Sequence, residues 1–586
     1  MIRKNHFLPR LFDSFSYLGP KTRKQMERSW AETFRRHILP KLPVEKLEGS
    51  YRKRMGRPSK NLHTGLGVLV LQQMLDTTDE ETVQRLSFDA RWQYALNITG
   101  TKDEDLYMCE RTLRKFREKA VGIEEELFAI ASDGLVVAGG VEVGRQRMDS
   151  VHVKSNMKRL GRLRLVGRTI QAFLKNLRRK EKGAYDRVGE EVRKRYVELL
   201  RGEEIFSQVK PSETAVTLSQ AAQDLSDLVE QFAGEEGIGK MTSYRTMERV
   251  LREQCRVMEE EGTVRVEVKG AKEVGADSLQ NPSDADAGYS GHKGQGYTVQ
   301  MMETFSTEEG STPPRLITYV EVTSAAVTDH HAIEGAMQAV EERGVKPELL
   351  LADTLYGSDD NVAKARDHGV ELVSPVNSQE GKSGHMPLSA FRVNAEDVIV
   401  ECPGGQTPQR VKQEKEKVTV WFERKICEGC VHKEACPVLW SKKRIRLPYE
   451  LKSMRSSRRR QVEDGPEFRE KYRWRSGIES AFSEWDRRTG VKHLRVRGRK
   501  AVRFCVFLKA LGLNILRYTA WVIGGGKELA PDPGKGTQRR QFGFGKVLLW
   551  NFPRWNWPLE TISIRIWLEK FPGYVRTAAF LTMATV

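Results

Sequence analysis

The segment Pro347-Glu-Leu-Leu-Leu-Ala-Asp353 constrains the fold most. It is a short unbroken apolar run that ends on a carboxylate, the pattern of a strand covered on both faces. Residues 359–368 follow with helical spacing, and residues 370–376 read as another strand. Two strands joined through a helix of this length form a right-handed βαβ unit. Upstream, residues 296–305 and 315–323 read as the strands of a hairpin, and 329–343 as a helix. Gln146-Arg-Met-Asp-Ser-Val-His-Val is a further short alternating strand and carries Asp149. These elements predict an α/β domain built on a mixed sheet with helices.

The rest of the chain divides around that pattern. Residues 1–135 read as an N-terminal helical domain suited to DNA binding, with an apolar stretch at 65–75 and a basic amphipathic helix at 112–120. Gly56-Arg57-Pro58 reads as a minor-groove arm or an ordinary loop. Residues 136–156 hold the first strand of the α/β domain. Residues 157–280 read as a basic helical insertion, Arg- and Lys-rich with apolar residues at helical spacing and helices continuing to about residue 261. Residues 281–376 form the α/β core. Residues 377–465 are rich in Gly, Pro, Lys and Cys and read as a β-rich insertion, with strands at 398–401 and 417–422. Residues 466–523 carry two long helices, at 466–488 and 500–523, and 524–586 form an irregular tail.

Composition narrows the partners. With 586 residues the chain exceeds one hydrophobic core. A formal net charge of +19 calls for a polyanion, and nucleic acid is the commonest one. The apolar stretch at 504–523 is interrupted by Lys509, Asn514 and Arg517, so it reads as a buried helix and not as a membrane span. No long apolar stretch marks a signal peptide in residues 1–20, and seven cysteines in a chain of this size do not suggest a disulfide framework. The chain reads as cytoplasmic, associated with the nucleoid when bound to DNA.

Three carboxylates stand out. Asp149 lies among the apolar residues Met148, Val151 and Val153. Asp353 ends the buried strand, where open α/β sheets place their ligands, although by itself it also reads as a cap of the loop through Tyr356-Gly357. Glu479 shares a helix stripe with Tyr472 and Arg475, beside an apolar face of Trp474, Ile478, Ala481, Phe482 and Trp485. Taken alone it reads as half of a surface pair with Arg475. Together, two strand-borne carboxylates and one on a later helix can converge on hard divalent ions, Mg²⁺ or Mn²⁺, which serve phosphoryl transfer. Asp284 and Asp286 compete with Asp149, but their Pro- and Gly-flanked context reads as a turn. His292-Lys293, ahead of a strand, reads as a phosphate contact or a polar turn. Cys402, Cys427, Cys430 and Cys436 fit either a closed structural zinc site, with His432 competing as a ligand, or four reduced thiols.

In this order the motifs resemble those of DDE insertion-sequence transposases with an RNase H-like catalytic domain. The resemblance covers roughly residues 45–518. It rests on Asn61-Leu-His-Thr-Gly, Met148-Asp-Ser-Val-His-Val-Lys-Ser-Asn, Asp286-Ala-Gly-Tyr and His292-Lys-Gly-Gln-Gly-Tyr-Thr-Val-Gln, then on Leu351-Ala-Asp-Thr-Leu-Tyr-Gly-Ser and Tyr472-Arg-Trp-Arg-Ser-Gly-Ile-Glu-Ser-Ala-Phe. The family's last motif is Tyr, two residues, Arg, three residues, Glu, six residues, Lys. Tyr472, Arg475 and Glu479 match it, whereas the Lys position falls on Asp486. The neighbouring Arg487 and Arg488, or Lys492, Arg495, Arg497 and Arg499 further on, offer basic groups for phosphate instead. The resemblance implies a catalytic triad of Asp149, Asp353 and Glu479, with Asp149 shared between two Mg²⁺ ions and the other two each completing one site. It implies double-stranded DNA as partner, both as terminal inverted repeats and as target. It also implies a homodimer in a synaptic complex, and Tyr472 and Arg475 contacting DNA or positioning Glu479.

Overall fold

Six strands form the central sheet: β1 (Arg145–Val153), β2 (Gly288–Ser290), β3 (Gly294–Thr304), β4 (Ile317–Ser324), β5 (Leu349–Ala352) and β6 (Glu371–Val373). They belong to a computed structural model that describes residues 2–4, 15–51, 58–100, 102–198, 204–260, 263–308, 313–376, 384–441 and 444–525. The tail expected at 524–586 lies outside these residues from 526 onward, as do Gly56 and Arg57 of the expected arm. β1 joins two halves of the sheet. It runs antiparallel to β3, which also pairs with β2 and β4, and parallel to β5, which is followed by parallel β6. The hairpin and the βαβ unit read from the sequence are thus the two halves of one mixed sheet.

Both faces of the sheet are covered, which is why β3 is buried along nine consecutive residues instead of alternating. On one face, Met148, Met302, Leu350 and Ala352 pack against Ile333, Met337, Val340 and Ala365 of the helices Ala332–Glu342 and Asp359–Asp367. On the other, Val151, Val299, Met301 and Val320 share a core with the helices Leu62–Met74, Glu124–Gly139 and Arg499–Ile523. The N-terminal helices therefore bury their apolar side chains together with the sheet. Each large side chain fully buried there is worth about 1.5–3 kcal/mol. Gly512 sets the approach of two of these helices: a β-carbon there would stand 2.7 Å from Met74 Cα. The helix Arg499–Ile523 is long and apolar enough to span a bilayer, but 67% of its most apolar window is buried inside the protein.

The helical insertion has its own core. Helices Arg162–Lys180, Thr214–Gln231 and Thr242–Gln254 enclose Phe173, Leu174, Leu225, Phe232 and Met247. Helix does not continue to residue 261 as the sequence reading expected. From Cys255 the chain forms the hairpin Cys255–Glu260 and Thr263–Val268, because Val264, Val266 and Val268 alternate and their branched side chains suit a pleated surface.

The second insertion pairs Arg410–Glu414, Lys417–Phe422, Ile445–Glu450 and Leu439–Trp440 in one sheet around Val418, Val420, Phe422, Ile445 and Leu447. Its last stretch is a helix, Leu451–Glu463, which docks back on the central domain. There Arg459 donates to the Gly357 and Ser374 carbonyls at 3.1 and 3.2 Å. The helix expected over 466–488 is broken into Pro466–Tyr472, a 3₁₀ segment Arg473–Ser476, and Gly477–Thr489. Arg147 Nη1 donates to the Trp474 carbonyl at 2.8 Å, and the Trp474 ring lies over Phe305. Both contacts pull this turn toward β1.

Candidate active site

Strand register brings the first two carboxylates together. Met148 pairs with Ala352 across the parallel β1–β5 contact, and both face the helix-covered core. The next residue in each strand must face the other way. Asp149 and Asp353 are those residues, so they emerge side by side on the opposite face. That face also carries Leu351 and Val373, which Tyr472 and Trp474 cover. The segment bearing Arg475 and Glu479 thereby closes over the two aspartates.

Arg475 is the centre of the arrangement. Its Nη2 donates to Asp149 Oδ2 at 2.5 Å and lies 3.7 Å from Asp353 Oδ2, and its Nη1 donates to Glu479 Oε1 at 3.2 Å. Asp149 also accepts from the Ser150 N–H at 2.7 Å, and Asp353 caps its own turn by accepting from the Leu355 N–H at 2.7 Å. The cap reading of Asp353 and its place beside Asp149 are therefore both true. Glu479 sits in the first turn of its helix, fixed by burial of Ile478, Ala481, Phe482 and Trp485, and its carboxylate is 70% exposed. Gly477 allows the close approach, since a β-carbon there would collide with Arg147 Nη1.

Burial pushes the Asp149 carboxyl up to about 6; Arg475 and the Ser150 N–H oppose this, and Asp353 and Asp329 add to it. Burial also raises the Tyr472 hydroxyl above its ordinary value. Tyr472 is half-buried and stacks on Phe468 with ring centroids 5.3 Å apart.

Beneath the site lies a buried ion network. Glu303, fully buried, accepts from Arg147 Nη2 at 2.6 Å and from Arg517 Nη1 at 2.7 Å. Burial alone would raise its carboxyl, but the two guanidiniums hold it below the ordinary carboxylate range. Arg147 links this network to the Trp474 carbonyl and hence to the turn that carries Arg475.

One acidic residue beside the site escaped the sequence reading. Asp329 accepts from Ser150 Oγ at 2.8 Å and from Gln300 Nε2 at 2.6 Å, and Gln300 Oε1 accepts from the Tyr356 hydroxyl. A chain of hydrogen bonds thus links the strand of Asp149 to the turn capped by Asp353. The sequence signal was the Thr328-Asp329-His330-His331 start of a helix, which reads only as an end cap when taken locally.

The other expected residues are dispersed. Arg487 is exposed without a side-chain partner among the described residues, whereas Arg488 pairs with Glu484 at 2.9 Å. Asp486, at the family's Lys position, accepts from the Lys492 N–H at 3.0 Å and closes the turn after its helix. Lys492 is partly exposed. Arg495 grips Asp76 with two nitrogens, at 2.9 and 3.0 Å. Arg497 donates to the Asn156 carbonyl and Arg499 Nε to the Val322 carbonyl. His292 and Lys293 lie exposed in the turn between β2 and β3. At the rise of a strand they stand roughly 25 Å along β3 from Met301, the partner of Asp149, and not next to the site. Asp284 is buried and accepts from Tyr297 and Ser155, both at 2.5 Å, which makes it a structural acceptor. Asp286 accepts from the Arg499 N–H at 2.9 Å.

Cys402, Cys427, Cys430 and Cys436 are free thiols, half-buried around one small cavity shared with His432. Cys402 and Cys430 accept from the Gln406 and His432 N–H groups at 3.3 and 3.4 Å. Burial raises the Cys427 thiol to about 11, and the other three sulfurs add to this. Among the described residues no three His, Cys, Asp or Glu side chains are close enough together to hold a metal ion. At the carboxylates Arg475 donates to Asp149 and Glu479 and lies 3.7 Å from Asp353. The donor set itself, three carboxylates with Asp149 taken out of water, has the hard oxygen chemistry that Mg²⁺ or Mn²⁺ prefers.

Comparison with known families agrees with this layout. Residues 23–119 match the family described as Transposase domain (DUF772), and residues 401–519 match the Transposase DDE domain. The second match includes Glu479, Arg475 and the four cysteines but begins after Asp149 and Asp353. No curated protein and no solved structure matches the chain. The two matches, one in the N-terminal helices and one across the segment that closes over Asp149 and Asp353, support an insertion-sequence DDE transposase.

Proposed function

We propose that this transposase cuts phosphodiester bonds at the ends of its mobile element and joins the freed ends to target DNA, using Asp149, Asp353 and Glu479. The observation that carries the reading is the Arg475 guanidinium, which draws together carboxylates from β1, from the end of β5 and from the helix that follows Arg475. The strand order, with a three-stranded antiparallel part on one side of β1 and two parallel strands on the other, supports an RNase H-like catalytic domain.

In the first step a water oxygen attacks phosphorus, the P–O3′ bond breaks, and the leaving oxygen takes a proton to become a 3′-OH. In the second, that 3′-OH attacks a target phosphodiester and its proton passes to the displaced 3′ oxygen. Asp149, Asp353 and Glu479 would hold Mg²⁺ or Mn²⁺. The bound ions supply a lowered pKa for the attacking oxygen and neutralisation of charge on the leaving one. Arg475 keeps the three carboxylates facing one another, and with ions held there its guanidinium would be available to a phosphate oxygen. Tyr472 holds the turn of Arg475 against Leu351 and Val373. The exposed Arg487 and the partly exposed Lys492 offer phosphate contacts, whereas Arg495 serves chiefly to tie Asp76 to the catalytic helices. The partner is double-stranded DNA, bound as two inverted-repeat ends by a homodimer.

The four sulfurs of the β-rich insertion would hold a structural zinc ion if the thiols turn into their shared cavity. The N–H groups already directed at Cys402 and Cys430 would stabilise the thiolates.

The reading is tested by incubating the protein with a plasmid carrying its own inverted repeats, a target plasmid and Mg²⁺. Joined products that depend on Asp353 support it; end binding with no cleavage, unchanged by Asp353→Ala, refutes it.

A further inference from the structure

The three long helices of the 157–280 insertion share one core but carry opposite charge. Arg162–Lys180 holds seven basic residues and no acidic one. Thr214–Gln231 holds Asp224, Asp227 and Glu230 and no basic residue. Thr242–Gln254 mixes both signs and pairs Arg249 with Glu253 at 2.7 Å. A solvated helix normally intersperses charges, because like charges four residues apart repel each other. The first helix ignores that rule and the third follows it.

The arrangement of its cations is also specific. At 100° per residue, Arg164, Arg168, Lys175 and Arg179 fall within roughly 60° of one another and span roughly 22 Å of axis. The opposite side carries Val166, Ile170, Phe173 and Leu177, all buried in the insertion core. The cations therefore line the ridge that faces away from the protein. They are little neutralised: Glu204 is 3.7 Å from Arg168 but is already held by Lys158 at 2.9 Å, and among the described residues Arg179 donates only to Asn176. Arg164 and Lys175 have no ion pair among the described residues. The helix ends on Arg178, Arg179 and Lys180, of which Arg179 belongs to the ridge.

We propose that this ridge is a docking surface for the backbone of duplex DNA, separate from the carboxylate site. A straight row of cations without acids between them matches a regular row of phosphates, and binding releases the counterions condensed there. Because the ridge reads charge and not base edges, it contributes the same affinity to any duplex sequence. The insertion thus holds DNA while the Asp149 centre acts on it. The proposal rests on the reading of the chain as a DNA-processing enzyme, since that reading supplies the polyanion.

The test uses the full chain and a 40-bp duplex of arbitrary sequence, with binding measured across a range of NaCl concentrations. Replacing Arg164, Arg168, Lys175 and Arg179 together by Gln should reduce the slope of log affinity against log salt by about 3.6, and weaken binding by at least on the order of 100-fold at 0.1 M salt. Arg164→Lys, Arg168→Lys and Arg179→Lys, which keep the charge, should leave the slope unchanged. If the fourfold variant does not fold, the pair Arg164→Gln and Lys175→Gln should lower the slope by about 2. An unchanged slope in a folded variant overturns the proposal, as does stronger binding of the wild type to anionic lipid vesicles than to the duplex. Arg245→Gln, on the mixed-charge helix Thr242–Gln254, should keep the wild-type slope. Loss of the surface effect alone therefore refutes this proposal, whereas absence of any duplex binding by the wild type refutes the DNA-processing reading as well.

Discussion

Arg475 Nη2 stands 2.5 Å from Asp149 Oδ2, across 326 residues of chain, and so pairs with a carboxylate that the protein interior takes largely out of water. That contact does not fully compensate burial, because the Asp149 carboxyl remains up at about 6. A carboxyl raised in the folded state favours the protonated form there. Stability from this group is fully present below the ordinary value of 3.8 and is lost as pH rises to about 6. Asp149→Asn should therefore stabilise the protein at pH 8, on the order of 3 kcal/mol, with no gain at pH 3.5. Urea unfolding at the two pH values checks this. A variant less stable than wild type at pH 8 would show that Arg475 outweighs the burial cost.

Glu303 is the keystone beneath the site. Removing it leaves Arg147 and Arg517 buried and facing each other, which costs about 3–5 kcal/mol. Glu303→Ala should lower the melting temperature sharply. Because Arg147 also holds the Trp474 carbonyl, the variant should lose DNA cleavage at temperatures where it is still folded. Calorimetry paired with a cleavage assay separates the two effects.

Asp329 acts through its neighbours. Asp329→Ala or Ser150→Ala breaks the hydrogen-bonded chain between the strand of Asp149 and the turn of Asp353. Outer-shell losses of this kind cost about 10–100-fold in metal affinity or activity. We expect Mn²⁺ binding, measured by calorimetry without DNA, to weaken by that range in either variant, while the melting temperature shifts little. Unchanged Mn²⁺ affinity would show that the network has no bearing on the site.

The cysteine cavity gives a simple elemental prediction. Protein purified without chelator should carry one zinc per chain, and Cys427→Ser with Cys430→Ser should remove it and destabilise the β-rich insertion. Metal-free wild-type protein of unchanged stability would leave the four sulfurs as reduced packing residues.

Much of this was legible in the sequence where one period or one run sufficed. The Leu349-Leu-Leu-Ala strand, the hairpin and the apolar helix at 499–523 each announce themselves locally, and Asp353 follows from its place at a strand end. What depends on pairing was not legible. Register places Asp149 beside Asp353, and no local pattern states that Met148 meets Ala352. The role of Asp329, in a 3₁₀ turn, needs Ser150 and Gln300 brought in from two strands. The assignment of Arg495 needed Asp76, more than 400 residues earlier, and from the sequence it looked as free as Arg487. The break at Arg473–Ser476 is likewise imposed from outside, by Arg147 and Phe305, on a stretch whose own residues suit a continuous helix.

The central claim is that Asp149, Asp353 and Glu479 form one catalytic centre. Its most direct test measures strand cleavage at the element's inverted-repeat ends in Mg²⁺ for wild type, Asp149→Asn, Asp353→Asn and Glu479→Gln, with folding and end binding confirmed for each. The account predicts that every variant still binds the ends and that each loses cleavage by at least about 10³-fold, the scale of a lost group that acts as part of a unit. Wild-type cleavage retained in any one of the three would contradict it.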